Sequence, residues 1–145
     1  MLRFPAPILM AMALSGCGAP DSPEQQVRAV IEQVEIAAES RDVGDLMQHV
    51  SQQYQDGSGL GRDDAARYVR GYFIANQSIH LLTRVDQVEF PASEEARALV
   101  TVGMVGRDAA ASGRWDLAAS IYEFDVTLRR EGDAWQVTYA KWQPK

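Results

Sequence analysis

The sequence predicts an α+β domain in which three N-terminal helices pack on a curved, mainly antiparallel sheet. Apolar residues recur at helical spacing in the first half of the chain and alternate with polar residues in the second half. A short polar turn at residues 131–134 joins the last two alternating segments, as in a β-hairpin. With 145 residues the chain is long enough for one such domain with its own apolar core.

The first helix has clear signals at its start. Ser22 is a typical N-cap, because Pro23 follows it directly and Gln25 can complete a capping box. We expect this helix to reach about Ser40. Its inward face would consist of Val27, Val30, Ile31, Val34 and Ala38.

Two more helices are predicted before the main run of strands. Asp42 can cap a second, shorter helix that ends near Ser51. Asp63 and Asp64 can open a third helix, because their carboxylates suit the positive end of its dipole. Between these helices, residues 54–61 are expected to form the end of a strand and a Gly-rich loop.

The second half of the chain has the alternation of strands. The alternation that begins at Ser78 changes parity near Asp86 and Gln87, which predicts a β-bulge and a bent strand. Residues 96–105 carry Val and small residues on both faces, which predicts a central strand covered on both sides. The remaining predicted segments are a loop at residues 106–120 and strands at residues 121–130 and 135–142.

The chain begins with the layout of an export signal: a basic start, a short apolar run and then small residues. The uncharged run is too short to span a bilayer. Leu14, Ser15, Gly16 and Cys17 resemble the bacterial lipobox, in which the cysteine receives a diacylglyceryl group and becomes the new N-terminus. A lone thiol in an oxidising compartment would oxidise or pair between molecules, whereas lipidation consumes it.

The lipobox resemblance divides the chain into a signal peptide, a lipidated tether and a folded domain. We assign these parts to residues 1–16, 17–22 and 23–145. The absence of Asp directly after Cys17 resembles the sorting pattern for the outer membrane. We therefore expect a palmitate-bearing lipoprotein in the cell outer membrane, with its domain facing the periplasm.

The charge balance argues against nucleic acid as a partner. The chain has 14 basic and 20 acidic residues and no Lys before Lys141. Binding to a phosphate backbone needs a concentrated basic surface.

Three local segments, together with the order of helices and strands, resemble the nuclear transport factor 2-like superfamily. These segments are residues 41–47, 61–65 and 132–137. The superfamily includes polyketide cyclase-like enzymes, ketosteroid isomerases and dehydratases, and also non-enzymatic binding and assembly modules. In its enzymes, a cone between sheet and helices holds a small apolar ligand.

The resemblance also implies a candidate base. An Asp near the start of the first strand often acts as base in these enzymes, and Asp56 lies in the matching stretch. Asp56 also precedes Gly57, and Asp-Gly is a common turn pair, which favours a turn residue over a base. The isomerases use a Tyr on the first helix to hold the oxyanion, and the first helix here has none.

Other candidate residues are few. His80 is a second candidate base, and Tyr54 and Trp115 are candidates for contact with a ligand. We expect no metal site, since His49 and His80 have no neighbouring ligand cluster in the sequence, and we expect no cofactor. Glu123 and Asp125 are expected on a solvated face of the sheet, beside Arg129.

The sequence leaves two functions open. The first is a lipid-anchored cell-envelope binding or assembly module without catalytic activity. The alternative is a cone-pocket enzyme of isomerase, dehydratase or cyclase type, acting on a small apolar ligand with Asp56 or His80 as base. The expected partners are the membrane, a small apolar ligand or envelope protein, and a second copy of the chain that pairs through the sheet face.

Overall fold

The computed structural model describes residues 22–108 and 117–145, with side chains for residues 22–105 and 120–145. Its elements confirm the predicted α+β class. Three helices pack on one face of a five-stranded sheet. In chain order the elements are α1 (Pro23–Glu39), α2 (Val43–Met47), β1 (Val50–Asp56), α3 (Arg62–Ala75), β2 (Asn76–Ala92), β3 (Glu95–Asp108), β4 (Leu117–Glu131) and β5 (Ala134–Pro144).

The sheet has the strand order β1-β5-β4-β3-β2. All neighbours are antiparallel except β1 and β5, which run parallel. The predicted hairpin is confirmed between β4 and β5, where Glu131 pairs with Ala134 and Gly132 has a φ of 63°. The predicted bulge is also confirmed, because the β2–β3 register shifts between Val85 and Gln87.

Local capping signals set the helix starts as predicted. The hydroxyl of Ser22 accepts a hydrogen bond from the backbone N–H of Gln25 at 3.1 Å, and the Gln25 side chain accepts from the Ser22 N–H at 3.3 Å. A carboxylate oxygen of Asp42 accepts from the N–H of Asp45 at 2.9 Å at the start of α2. The two predicted N-caps are therefore confirmed.

The second helix is shorter than predicted. It ends at Met47, and Val50 and Ser51 belong to β1. The cause is a contact with β5: Val50 pairs with Val137, whose N–H donates to the carbonyl of His49 at 2.8 Å. Pairing with a strand more than eighty residues away ends the helix.

The core tapers along β3. On the face covered by helices, its side chains grow from Ala96 and Ala98 through Val100 and Val102 to Met104. At the alanine end, which we call the narrow end, Val27 of α1, Leu128 of β4 and Trp135 of β5 are buried in the same cluster. The other end of the sheet, around Met104, is called the open end.

The prediction that β3 is covered on both sides is wrong. Its second face, called the outer face, carries Arg97, which forms two hydrogen bonds to Asp125 at 2.8 and 2.6 Å in an exposed position. Among the described residues, the helices pack on the other face. The loop predicted at residues 106–120 is also too long, because β3 reaches Asp108 and β4 begins at Leu117.

Two arginines connect the helices to the sheet. Arg62, the first residue of α3, donates to the carbonyls of Val50 at 3.2 Å and Met47 at 2.9 Å. Arg41 donates to the carbonyls of Phe73 and Gln77, at distances of 2.7 to 3.1 Å. These contacts hold the α2–β1 and α3–β2 junctions, and no local sequence pattern predicts them.

We expect Arg62→Ala to lower the free energy of unfolding by about 2 kcal/mol, because two backbone carbonyls lose a charged donor. The measurement is a urea titration followed by circular dichroism. Arg67→Ala on the same helix is the control, since Arg67 only forms an exposed i,i+3 ion pair with Asp64. Its expected loss is below about 0.5 kcal/mol. Equal losses in the two variants would contradict the role given to Arg62.

Candidate functional site

The open end carries a group of aromatic side chains that we call the aromatic mouth. All five are partly exposed, and they come from one helix and two strands. They are Tyr68 and Tyr72 of α3, Tyr122 and Phe124 of β4, and Trp142 of β5.

Ring contacts hold the aromatic mouth together. Phe124 and Trp142 are cross-strand partners whose rings stack with centroids 5.8 Å apart. Tyr68 lies 6.4 Å from Trp142, and Tyr122 lies 6.4 Å from Phe124. Burial, and then the neighbouring Tyr122 and Tyr68, raise the pKa of the Tyr72 phenol. The mouth therefore offers ring faces and phenol hydroxyl groups.

Tyr54 is a buried polar side chain near the end of β1. Only 7% of it is exposed, and alternation along β1 places it on the same side as Asp56, which pairs with Ala140 of β5. Burial, followed by the charge of Asp56 and by Tyr139, raises the Tyr54 pKa to about 12. Among the described residues its hydroxyl has no hydrogen-bond partner. Tyr54 is thus a neutral, unused hydrogen-bond donor at neutral pH.

Asp56 shapes the turn between β1 and α3. One of its oxygens, Oδ1, accepts from the backbone N–H groups of Ser58 at 2.8 Å and Leu60 at 2.9 Å. This is the turn expected from the Asp-Gly pair. The second oxygen, Oδ2, accepts no hydrogen bond within the described part of the chain. Asp56 therefore holds the turn with one oxygen and keeps the other available.

His80, the second candidate base, lies on the outer face of the sheet. Its neighbour Ile79 is buried among the core residues, so the alternation of β2 turns His80 to the outer face. His80 is exposed there, on the same face as Leu82, which is 80% exposed. His49 is half-buried at the α2–β1 junction, and its backbone carbonyl accepts a hydrogen bond from the N–H of Val137 in β5.

The outer face holds the acidic residues of β4, as predicted, but with different partners. Asp125 pairs with Arg97, whose hydrogen bonds lower the Asp125 pKa. Glu123 lies 3.6 Å from Lys145, whereas Arg129 approaches Glu95 at 3.8 Å. The predicted neighbour of the pair, Arg129, is thus engaged elsewhere.

Several predicted residues lie outside the described residues. They are Trp115, the cysteine Cys17 and the preceding Leu14, Ser15 and Gly16. Within residues 22–108 and 117–145, no three His, Cys, Asp or Glu side chains come together as a metal site. No helix in that part of the chain is long and apolar enough to cross a membrane.

Two surface depressions of about 260 Å³ each lie outside the cone. One is on the outer face, beside Thr127 and Arg129, and the other lies between α1 and α2, beside Ile36 and His49. Both are lined mainly by polar side chains. Neither contains the aromatic mouth or Tyr54.

The sequence does not single out the residues of the mouth as candidate site residues. The signal that was present is the alternation of β4 and β5, which puts Phe124 and Trp142 on the helix-facing side. Alternation predicts the face on which a side chain lies, but it does not predict how exposed that side chain is.

Solved structures with the same fold include candidate enzymes and enzyme-like proteins. A candidate scytalone dehydratase from Novosphingobium aromaticivorans superimposes with a TM-score of 0.76 at 11% identity, covering 84% of this chain and 83% of that one. A candidate dehydratase of the nuclear transport factor 2-like family from Streptomyces avermitilis has a TM-score of 0.74 at 15% identity, covering 87% and 99%. A ketosteroid isomerase-like protein from Erwinia carotovora has a TM-score of 0.68 at 12% identity, covering 82% and 93%.

These similarities show that the chain has the nuclear transport factor 2-like fold. No family model matches the sequence, and no curated protein matches it. At 10 to 16% identity the similarity concerns the fold and not the activity.

The buried phenol of Tyr54 predicts a pH dependence at alkaline pH. Because its pKa is about 12 in the folded chain against 10 for a free phenol, the folded state holds this proton more tightly. Its contribution to stability is therefore complete below pH 10 and is lost as pH rises through 12, by an amount on the order of 2 kcal/mol. We expect Tyr54→Phe to unfold with a shallower decline over that range in urea titrations. Tyr68→Phe, an exposed tyrosine, is the control, and identical declines in all three proteins would contradict the assignment.

Proposed function

We propose that the open end of the cone binds a small, flat, apolar molecule and catalyses a proton transfer on it, as an isomerase or dehydratase does. The observation that supports this most directly is the aromatic mouth, whose Trp142 lies two residues along β5 from Ala140, the cross-strand partner of Asp56. The proposal adopts the enzyme alternative over the non-catalytic module. It is favoured by the names of two neighbours with the same fold, a candidate dehydratase and a ketosteroid isomerase-like protein.

Binding would depend on ring contacts. The rings of Trp142 and Tyr68 are 38% and 66% exposed, which leaves apolar surface for a flat ligand to cover. Covering apolar surface contributes about 25 cal/mol per Å², and ring stacking adds to this. Water leaves the rings when the ligand binds.

The chemistry would use the two polar groups in different roles. Asp56 accepts a proton on Oδ2 from a carbon next to a carbonyl group, and the electron pair of that C–H bond moves towards the carbonyl oxygen. The neutral hydroxyl of Tyr54 donates a hydrogen bond to that oxygen as its negative charge grows. The proton on Asp56 then returns to another carbon of the same molecule, which restores the carboxylate. The step is balanced, because the proton and the electron pair both remain in the same molecule and the carboxylate is restored.

We expect Trp142→Ala to weaken the binding of 1-anilinonaphthalene-8-sulfonate, a fluorescent apolar probe, by about tenfold, because the probe loses a stacking surface. The measurement is a fluorescence titration. Leu82→Ala is the matched control: it removes an exposed apolar side chain from the outer face and should leave the affinity unchanged. A loss in the Leu82 variant with none in the Trp142 variant would place probe binding on the wrong face.

We expect Asp56→Asn to slow proton exchange between solvent D₂O and an apolar cyclic ketone by at least about 100-fold, as loss of a general base does. The measurement is NMR of the ketone. Asparagine keeps the oxygen that accepts from Ser58 and Leu60, so the turn should survive. His80→Asn, on the outer face, should exchange at the wild-type rate. Wild-type exchange in the Asp56 variant would remove this residue from the mechanism.

We also propose that the chain is held at a membrane by lipid on Cys17. The proposal is based on the sequence alone, from the apolar leader and the residues Leu14, Ser15 and Gly16. The outer membrane and a periplasm-facing domain remain part of it. It is independent of the enzymatic proposal, because the aromatic mouth, Tyr54 and Asp56 all lie after residue 22 in the chain.

We expect Cys17→Ser to abolish palmitate labelling in bacteria and to move the protein out of the membrane fraction, because acyl chains supply the membrane affinity. The measurements are metabolic labelling and fractionation. Ser15→Ala is the control, since it keeps a small residue before the cysteine. Membrane retention without any label in the wild type would disprove the anchor.

A further inference from the structure

The polypeptide enters the folded domain at the narrow end. Gln26, in the first turn of α1, accepts a hydrogen bond from the indole N–H of Trp135 at 3.0 Å. Val27 is fully buried in the cluster that contains Ala96 and Leu128. Ser22 therefore lies beside the hairpin between β4 and β5.

The aromatic mouth lies at the opposite end. In β3, Ala96 pairs with Leu128 at the narrow end, whereas Val102 pairs with Tyr122 of the mouth. Six residues of strand separate these positions, which is about 20 Å. The helix α1 runs in the same direction, because its last residue, Glu39, accepts a hydrogen bond from the N–H of Leu81 at 2.8 Å.

Chain length then limits how the domain can sit on a membrane. Cys17 and Ser22 are five residues apart, which spans at most about 18 Å even when fully extended. The helix α1 has 17 residues and is about 26 Å long. With the open end on the bilayer, Ser22 would stand farther from the lipid than the tether can reach.

We propose that the narrow end of the domain faces the bilayer and that the aromatic mouth opens away from it. This inference depends on the proposed lipid anchor at Cys17. The exposed turn at residues 131–134 includes Glu131 and Asp133, so polar groups of the hairpin face the lipid surface at this end, together with the partly exposed ring of Phe90, which packs on Trp135. A ligand reaches Trp142 and Tyr68 from the aqueous side and does not pass through the membrane.

Energy transfer in proteoliposomes tests this orientation. Cys17 is the only cysteine, so in the lipidated chain an introduced cysteine is the sole free thiol. A fluorophore is attached at Asp133→Cys in the hairpin or at Gln143→Cys, whose cross-strand partner Glu123 lies next to Tyr122. The acceptor is a rhodamine-labelled phospholipid. We expect clearly higher transfer from position 133 than from position 143.

A longer tether is the matched control. Ten Gly and Ser residues inserted between Ala19 and Pro20 raise the reach of the tether above the length of α1, so the difference between the two positions should shrink. Equal transfer, or higher transfer from position 143, in the chain with its natural tether would overturn the orientation. A chain that fails to float with the vesicles would overturn the anchor itself and the orientation with it.

Discussion

The increase in side-chain size along the helix-facing side of β3 determines the shape of this domain. Alanines at one end let α1 approach the sheet until Val27 is fully buried, and Trp135 closes the same end through its hydrogen bond to Gln26. Towards Met104 the helix-facing side chains of β3 are larger. At that end Tyr68 and Trp142 remain partly uncovered. The buried core cluster of Val27, Ala96 and Leu128 and the candidate site lie at opposite ends of this gradient.

The sequence was most informative where structure depends on near neighbours. The capping box at Ser22, the cap at Asp42, the bulge near Asp86 and the final hairpin each depend on a few adjacent residues, and each was predicted. The end of α2 was not, because β1 pairs in parallel with β5 at the far end of the chain. Position within a sheet is similarly non-local, and Leu99 and Val105 on the outer face of β3 look like core residues in sequence alone.

The candidate site was only partly visible for the same reason. Asp56 and Tyr54 were recognised because a family resemblance directed attention to that stretch, and the Asp-Gly turn was recognised from local chemistry. His80, the second candidate base, lies exposed on the outer face, because the buried Ile79 next to it fixes which side chains of β2 face the helices. The residues of the mouth come from α3, β4 and β5. The pattern within any one of these elements does not predict that they lie close together.

The contact between Glu39 and β2 has a further consequence. β2 is an edge strand of 17 residues, and edge strands of this length readily pair with strands of other molecules. The Glu39 carboxylate occupies the N–H of Leu81, which points away from β3, and the bulge near Asp86 bends the strand farther along. Charged residues at Arg84, Asp86 and Glu89 add to this protection. The Glu39 carboxylate therefore blocks a backbone N–H group to which a strand of another molecule could bind. In this way a helix side chain protects the edge of the sheet against aggregation.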